Sequence, residues 1–242
     1  MANNFENPEL FLEVARTAAK RYPFERSEAK LLAFSENATY LIYDPQTGES
    51  LCVLRVGRPG YHTLEEYQSE IDWLRQINDY TPLKVANPLA ASDGSYIQMV
   101  EADGAVYYCM ATEFLSGATL ETDNSPEAAP GHFRTLGETT AYLHRQTEIW
   151  NGTKDIKRAH WDYENMIGEE GLWGNWRDYP ELTSEQEAKI AQCCAIIKRR
   201  LERYGKNDQN YGVIHADLRD TNIIVEGDQI KVIDFDDFGF GW

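Results

Sequence analysis

The residues best suited to do chemistry lie near the C-terminal end of the sequence. Asp217 is followed five positions later by Asn222, and Asp234 stands twelve positions after Asn222. Two carboxylates and one amide supply a set of hard oxygen atoms. Such a set can bind a metal ion or accept a proton only if the fold brings the three side chains together, so the intervening elements decide its chemistry.

The sequence between Asn222 and Asp234 predicts a β-hairpin. Two apolar runs, Ile223–Val225 and Ile230–Ile233, flank Gly227-Asp228, a pair suited to a two-residue turn. With this turn, antiparallel pairing makes Asn222 and Asp234 diagonal neighbours at the open end of the hairpin. Neighbouring strands lie about 4.8 Å apart, so both side chains can reach one ion.

This arrangement indicates phosphoryl transfer. Mg²⁺ prefers a few protein oxygens together with water and phosphate, and Asn222 and Asp234 supply oxygens of that kind. Asp217 lies on the loop that enters the same end of the hairpin, where a carboxylate can accept a proton from an attacking hydroxyl. The alternative is a polar loop whose Asp and Asn side chains are only solvated.

The spacing of these residues resembles that of a known family. The motifs His215-x-Asp217-x-x-x-x-Asn222 and Asp234-x-Asp236 are similar to those of the aminoglycoside phosphotransferase and choline kinase superfamily, which is related to the protein kinases. The resemblance implies that Asp217 is the catalytic base or orients the hydroxyl, and that Asn222 and Asp234 hold Mg²⁺. It makes His215 a structural anchor of the loop, and it leaves open whether Asp236 tunes the metal or braces the loop.

The resemblance also assigns residues to the phosphates of ATP. Arg219 takes the place of a basic or polar residue that can touch the transferred phosphate. Ser35 and Asn37 lie in the polar loop where the family covers the phosphates, although this loop lacks the repeated glycines of protein kinases. Arg55 on the third strand contacts the phosphates and pairs with Glu70 on the following helix, and Arg in place of the commoner Lys keeps the charge. Strand alternation alone also fits Arg55 as an outward-facing surface charge.

The adenine is assigned to the segment Glu113-Phe114-Leu115, which matches the hinge of the family. There the backbone N–H and C=O groups would hold the base, so Glu113 and Leu115 are candidates for nucleotide binding.

The first half of the sequence predicts five strands, with one helix inserted after the third. A short amphipathic helix is predicted before them, over 6–20. Apolar runs separated by turn signals, such as the turn Asp44–Gly48, predict the strands. Helical spacing of apolar residues over 64–78 predicts the inserted helix.

The second half is predicted to be mainly helical, with helices from Phe133 and over 184–204. Loops are predicted at 116–117, 122–126 and 130–131, and strand-like runs at 211–214, 223–225 and 230–235. Four tryptophans lie in a loop-rich stretch over 150–180. They either line a pocket or, as the favoured interpretation, are buried by packing.

Composition excludes several classes of protein. The 242 residues include 40 Asp and Glu against 23 Lys and Arg, a formal net charge of −17. This excess argues against nucleic-acid binding and mildly favours cationic small partners. No window has the roughly 18 apolar residues of a membrane span, and Glu6, Glu9 and Glu13 exclude a signal peptide. The four cysteines form no CxxC pair, so no zinc pattern is predicted, and a cytoplasmic location is expected.

These observations predict an α+β, two-lobed, protein-kinase-like fold. A nucleotide-binding lobe over 1–114, an antiparallel sheet with one helix, precedes a mainly helical catalytic lobe over 115–242. The resemblance implies transfer of the γ-phosphoryl group of ATP, with Mg²⁺, to a hydroxyl of a small molecule. The acceptors that fit the family are an aminoglycoside, an amino alcohol or a homoserine-like compound.

Three other functions stay open: a protein Ser/Thr kinase, a non-catalytic nucleotide-binding or regulatory module, and an acidic scaffold for basic partners. The family usually continues after Asp-Phe-Asp with helices that complete the acceptor pocket, so the sequence is expected to be truncated there. An exposed apolar face at the C-terminal side, and self-association through it, are then expected.

Overall fold

The computed structural model describes residues 7–122 and 129–242. This part of the chain divides into two compact units. The first contains the described residues up to Thr139 together with Arg219–Asp234, and the second contains Thr140–Leu218 together with Phe235–Trp242. The predicted α+β class with an antiparallel N-terminal sheet is confirmed. The lobe boundary between residues 114 and 115 stays a prediction.

Helix α1 (Pro8–Ala19) confirms the helix predicted over 6–20, within the described residues. The Asn7 side chain caps its N-terminus by accepting the Leu10 N–H at 3.2 Å, and Pro8 occupies the first turn, where no N–H is needed. Phe11, Val14 and Ala18 recur at helical spacing and are buried.

The main sheet of the first unit has five antiparallel strands in the order β1-β2-β3-β5-β4. The strands are β1 (Glu28–Phe34), β2 (Ala38–Tyr43), β3 (Ser50–Val56), β4 (Ile97–Ala102) and β5 (Ala105–Thr112). The predicted turn after β2 is present: Asp44 Oδ1 accepts the N–H of Gln46, and Gly48 has φ +77°. Helix α1 packs on this sheet, where the Phe11 ring meets Tyr107 edge-on at 5.4 Å.

Helix α2 (Leu64–Tyr80) lies between β3 and β4 in the chain, as predicted from the pattern over 64–78. A capping box starts it: Thr63 Oγ1 accepts the Glu66 N–H at 3.2 Å, and Glu66 Oε2 accepts the Thr63 N–H at 2.7 Å. Its buried face includes Ile71 and Leu74, and also the charged residue Glu70.

A second sheet of the first unit contains the predicted hairpin. Strand β6 (Ala118–Thr119) pairs with β8 (Ile223–Glu226), which pairs with β9 (Gln229–Val232). The register is the predicted one, with Val225 opposite Ile230. The run predicted to extend to Phe235 is wrong at its end, because β9 stops at Val232 and Asp234 has φ +61°, which is incompatible with an extended strand.

The remaining helices are α3 (Ala129–Ile149), α4 (Tyr163–Met166) and α5 (Ser184–Tyr204). The helix predicted over 184–204 is confirmed, and Thr183 caps it together with Gln186. The loop predicted at 130–131 is wrong. Pro130 and Gly131 lie in the first turn of α3, where proline costs no hydrogen bond. Of the loop predicted at 122–126, residues 123–126 lie outside the described part of the chain.

Strand β7 (Gly212–Ile214) pairs with β10 (Gly239–Gly241) in the second unit. Strand β10 was not predicted, because it is three residues long and contains two glycines. Among the described residues, no helix is long and apolar enough to span a membrane.

Of the four tryptophans over 150–180, Trp150, Trp161 and Trp176 are half-buried and Trp173 is exposed, so the favoured packing role holds in part. The Trp161 and Trp173 rings stack at 6.2 Å, with Trp173 exposed, and Trp161 Nε1 donates to the Asp237 carbonyl at 2.7 Å. Trp161 therefore packs against Trp173 and also lies against Gly239 of β10.

The cysteines provide a test of which side chains the fold buries. Burial raises the pKa of the Cys52 and Cys109 thiols to about 12, whereas Cys193 is exposed. At about pH 8, near the usual thiol pKa of about 8.5, we expect iodoacetamide to alkylate Cys193 and to leave Cys52 and Cys109 unmodified. Peptide mass spectrometry before and after unfolding in urea measures this. Rapid labelling of Cys52 in the folded chain would contradict the packing described.

Candidate active site

The first part of the site is a buried ion pair between β3 and α2. Arg55 Nη2 lies 2.5 Å from Glu70 Oε2, with 9% of Arg55 and 1% of Glu70 exposed to solvent. The Arg55 guanidinium also lies 5.4 Å from the centre of the Tyr67 ring. The predicted contact is therefore present, and the outward-facing alternative for Arg55 is wrong. Contact of Arg55 with a nucleotide stays a prediction.

The polar loop between β1 and β2 lies at the same end of the sheet as Arg55. Thr39 pairs with Arg55 across β2 and β3, and the loop immediately precedes β2. Ser35 is exposed, and its N–H donates to the Asn37 carbonyl at 3.0 Å. Asn37 is buried, and its Oδ1 accepts the Arg58 N–H at 3.3 Å. Asn37 thus ties the loop to the segment that follows β3.

The predicted adenine segment directly follows β5. The Glu113 N–H donates to the Asn87 carbonyl at 2.8 Å, and Asn87 Nδ2 lies 3.4 Å from Glu113 Oε2. Both Glu113 and Leu115 are half-buried. Because the Glu113 N–H is already engaged, its carbonyl and the backbone groups of Leu115 stay candidates to face a base.

The β8–β9 hairpin brings Asn222 and Asp234 together. Asn222 is buried at the end of a short 3₁₀ turn over 220–222, and its N–H donates to the Arg219 carbonyl at 2.9 Å. The Ile233 N–H donates to the Asn222 carbonyl at 3.0 Å, so pairing continues beyond the strands and places Asp234 beside this end. Both Asp234 and Arg219 are exposed.

Asp234 has an unusual backbone conformation. Its φ of +61° lies in the left-handed region, which costs free energy for a residue other than glycine. Strained residues of this kind cluster at functional sites. Left-handed backbone here turns the chain out of β9 directly after the hairpin pairing ends.

The donor set at this hairpin fits a hard divalent cation. Within residues 7–122 and 129–242, no group of three or more His, Cys, Asp or Glu side chains is placed to hold a metal. Asn222 and Asp234 supply one amide oxygen and one carboxylate, which is enough for Mg²⁺, an ion that usually keeps several water and phosphate ligands. The donor set does not suit zinc, which favours Cys and His.

Asp217 belongs to the second unit, where His215 holds its backbone. His215 is buried, its ring centre lies 4.5 Å from that of Phe235, and its Nδ1 accepts the Asp217 N–H at 3.2 Å. Ala216 between them has φ +66°. This geometry agrees with the anchoring role expected for His215, and the half-buried Asp217 carboxylate extends from a fixed loop.

The backbone at Asp236 is braced from within the second unit. Arg158 Nη1 donates to the Asp236 carbonyl at 2.8 Å, and the guanidinium lies 4.3 Å from the Phe238 ring centre. Sequence reasoning missed Arg158, because a single arginine in an irregular stretch carries no local signal. It also missed Lys231, whose only signal is a charge within the apolar run of β9.

Comparison with known proteins agrees with this geometry. The model of the phosphotransferase enzyme family (APH) matches residues 14–242. The chain belongs to this family. The predicted resemblance is thereby confirmed.

Individual proteins are similar over most of this chain. A solved structure described as a microcompartment-associated aminopropanol kinase is 33% identical, with a TM-score of 0.83, covering 96% of this chain and 71% of that one. Amicoumacin kinase of Bacillus subtilis (strain 168) is 26% identical over 232 residues. The structure of amicoumacin kinase hAmiN in complex with AMP-PNP, Ca²⁺ and Ami is 21% identical, with a TM-score of 0.73, covering 98% of this chain and 66% of that one, and shows a shared fold.

This phosphotransferase-family chain is shorter than the curated relative. The match covers 95% of this chain and 64% of the Bacillus subtilis amicoumacin kinase.

The contribution of the buried pair of Arg55 and Glu70 to the free energy of unfolding can be tested by substitution. Glu70→Ala leaves a buried guanidinium without its carboxylate, which we expect to lower the free energy of unfolding by about 3–5 kcal/mol. The matched control is Glu148→Ala, which removes an exposed pair with Arg145 and should cost less than about 1 kcal/mol. Equilibrium unfolding in urea measures both, and equal effects of the two substitutions would show that the Arg55–Glu70 pair contributes little.

Proposed function

We propose that this chain carries the nucleotide, metal and catalytic residues of a small-molecule kinase that transfers the γ-phosphoryl group of ATP to a hydroxyl. The observation that carries the proposal is the hairpin that brings Asn222 and Asp234 to one strand end. The buried pair of Arg55 and Glu70, on a different part of the first unit, supports it. Both arrangements match those expected from the resemblance to kinases.

Residues of the first unit would hold the nucleotide. Asn222 and Asp234 would bind Mg²⁺, which neutralises phosphate charge when it is present. Arg55 would contact the phosphates, because Glu70 holds its guanidinium in place and the planar fork of N–H donors matches phosphate oxygens. Ser35 and Asn37 would cover the phosphates through their loop.

The adenine would be held by backbone groups after β5. The Glu113 carbonyl and the Leu115 N–H are the groups that fit, since the Glu113 N–H already donates to Asn87. Backbone recognition of this kind does not depend on which side chains the segment carries.

Asp217 would act on the acceptor. A carboxylate held near the acceptor hydroxyl can orient it and take its proton as the bond to phosphorus forms. His215 restrains the backbone of Asp217, which limits the positions that the carboxylate reaches. Arg219, exposed two residues later, would contact the transferred phosphate.

The acceptor that we propose is a small amino alcohol. A protein that is 33% identical to this chain is described as an aminopropanol kinase, and another relative as amicoumacin kinase. A formal net charge of −17 also attracts a cationic acceptor at low ionic strength. An acceptor panel that contains aminopropanol, homoserine and an aminoglycoside, with ADP release as the signal, tests this choice.

Replacement of Asp217 tests the catalytic role. We expect Asp217→Asn to lower kcat by about 10²–10⁴-fold, because loss of a general base typically has that effect, while ATP affinity stays close to that of the wild type. Asp208→Asn, an exposed carboxylate of the same unit, is the control and should leave kcat unchanged. Turnover at saturating acceptor and calorimetry with ATP give the two values. Near wild-type kcat in Asp217→Asn would exclude this role.

Replacement of the hairpin residues tests the metal site. Asn222→Ala and Asp234→Ala should weaken ATP binding in the presence of Mg²⁺ and change it little in its absence, with the larger loss for Asp234 because it supplies a full charge. Asp228→Ala, at the turn of the same hairpin, is the control. Titration calorimetry with and without Mg²⁺ distinguishes the outcomes. Equal losses under both conditions would mean that the two residues are structural.

A further inference from the structure

A buried lysine connects the hairpin to the segment that follows β5. Lys231 Nζ lies 2.7 Å from Glu226 Oε2, 2.9 Å from the Ser116 carbonyl oxygen and 3.4 Å from Ser116 Oγ. Ser116 Oγ in turn donates to Glu226 Oε1 at 2.8 Å. We call this set of Lys231, Glu226 and Ser116 the Lys231 clip. Only 7% of Lys231 is exposed, and its ammonium group is satisfied by these protein oxygens.

The backbone at Gly117 allows the clip to form. Gly117 has φ +126°, and a Cβ at this position would lie 2.5 Å from the Val225 carbonyl oxygen. Any side chain would push the segment away from the hairpin. Directly after Gly117, Ala118 pairs with Val225 and Thr119 pairs with Ile224. The clip and this short ladder hold the same segment against β8.

A second connection runs between β9 and the end of β5. The Val232 N–H donates to the Lys84 carbonyl at 3.1 Å, and Val85 is bridged to Val232. A few residues on, the Glu113 N–H donates to the Asn87 carbonyl at 2.8 Å. Residues 84–87 therefore connect the hairpin to the N-terminal end of the segment Glu113–Leu115. The Lys231 clip connects the hairpin to its C-terminal end.

We propose that Lys231 is a positioning residue for nucleotide binding, a role that rests on the proposed function. Leu115 directly precedes Ser116, and Asp234 follows Lys231 by three residues. The clip thus links the segment proposed to hold adenine to the hairpin proposed to hold the metal. It keeps the two sets of contacts at a fixed separation, so that one nucleotide satisfies both. Lys231 acts through Leu115 and Asp234 and does not itself contact the nucleotide.

The first experiment compares Lys231→Met with a matched control. Lys189→Met also removes a lysine that pairs with a glutamate, Glu185, at 2.8 Å, but both of those side chains are exposed. We expect Lys231→Met to raise the Kd of ATP with Mg²⁺ roughly 2- to 30-fold, the range for couplings of about 0.5–2 kcal/mol. Calorimetry with ATP should show no change for Lys189→Met.

A second readout needs no nucleotide. In the nucleotide-free protein, hydrogen exchange of the peptide that covers 113–119 should be faster in Lys231→Met than in the wild type and unchanged in Lys189→Met. Faster exchange together with weaker ATP binding supports the proposal. Exchange that matches the wild type, or faster exchange with wild-type ATP affinity, overturns it.

A double variant separates positioning from stability. Lys231→Met combined with Glu226→Gln removes both charges of the clip: Met fills the buried position of Lys231, and Gln keeps the half-exposed position of Glu226 polar and able to accept from Ser116 Oγ. We expect the free energy of unfolding to recover toward the wild-type value, while KM for ATP stays raised and kcat changes less. Recovery of stability and of KM together would mean that Lys231 is merely structural, and would overturn the proposal.

ATP binding by the wild-type chain distinguishes failure of the proposed function from failure of the positioning role alone. If the wild-type chain binds no ATP with Mg²⁺, the proposed function is wrong and the positioning role falls with it. If the wild-type chain binds ATP and Lys231→Met binds it equally well, only the positioning role is overturned.

Discussion

The register of the β8–β9 hairpin is the constraint on which the candidate site depends. Side chains alternate along a strand, so a slip of one residue would turn every side chain of β9 to the opposite face. The observed register pairs Val225 with Ile230, lets Asn222 accept the Ile233 N–H, and leaves Asp234 at the open end. The same register directs Lys231 toward Ser116. The proposed metal ligands and the Lys231 clip are thus positioned by one backbone ladder.

A second constraint is the buried charge between β3 and α2. Arg55 lies on a central strand, and Glu70 faces it from a helix that begins at the capping box of Thr63 and Glu66. Neither charge would be tolerated in this interior alone. The position of α2 against the sheet is consequently set by an ionic contact as well as by apolar packing. A helix without such a contact could shift along its axis at lower cost, since apolar contacts are not directional.

Local sequence patterns predicted the elements and the hairpin well, because both follow from neighbouring residues. Apolar periodicity located α2 and α5, and the Gly227-Asp228 turn with its flanking runs gave the register of β8 and β9. The pair of Arg55 and Glu70 followed from a family resemblance that reaches across 15 residues. The position of Asp217 within a restrained loop followed from the motif around His215.

Features that depend on distant contacts could not be predicted in the same way. Ser116 and Lys231 are 115 residues apart, and no local pattern around either residue indicates that the two are in contact. Proline and glycine at 130–131 suggested a loop, whereas in α3 they occupy a first turn that needs few N–H groups. The tryptophans at 161 and 173 looked like core residues by type, but their burial depends on what surrounds an irregular stretch.

The left-handed backbone at Asp234 has a consequence for protein engineering. Glycine adopts this conformation without steric cost, whereas aspartate, like asparagine, adopts it at some cost. A screen that rewards resistance to heat alone would therefore favour glycine at this position. Glycine would remove the carboxylate. Directed evolution of this chain has to score turnover alongside thermal tolerance, because replacement of Asp234 by glycine removes a proposed metal ligand.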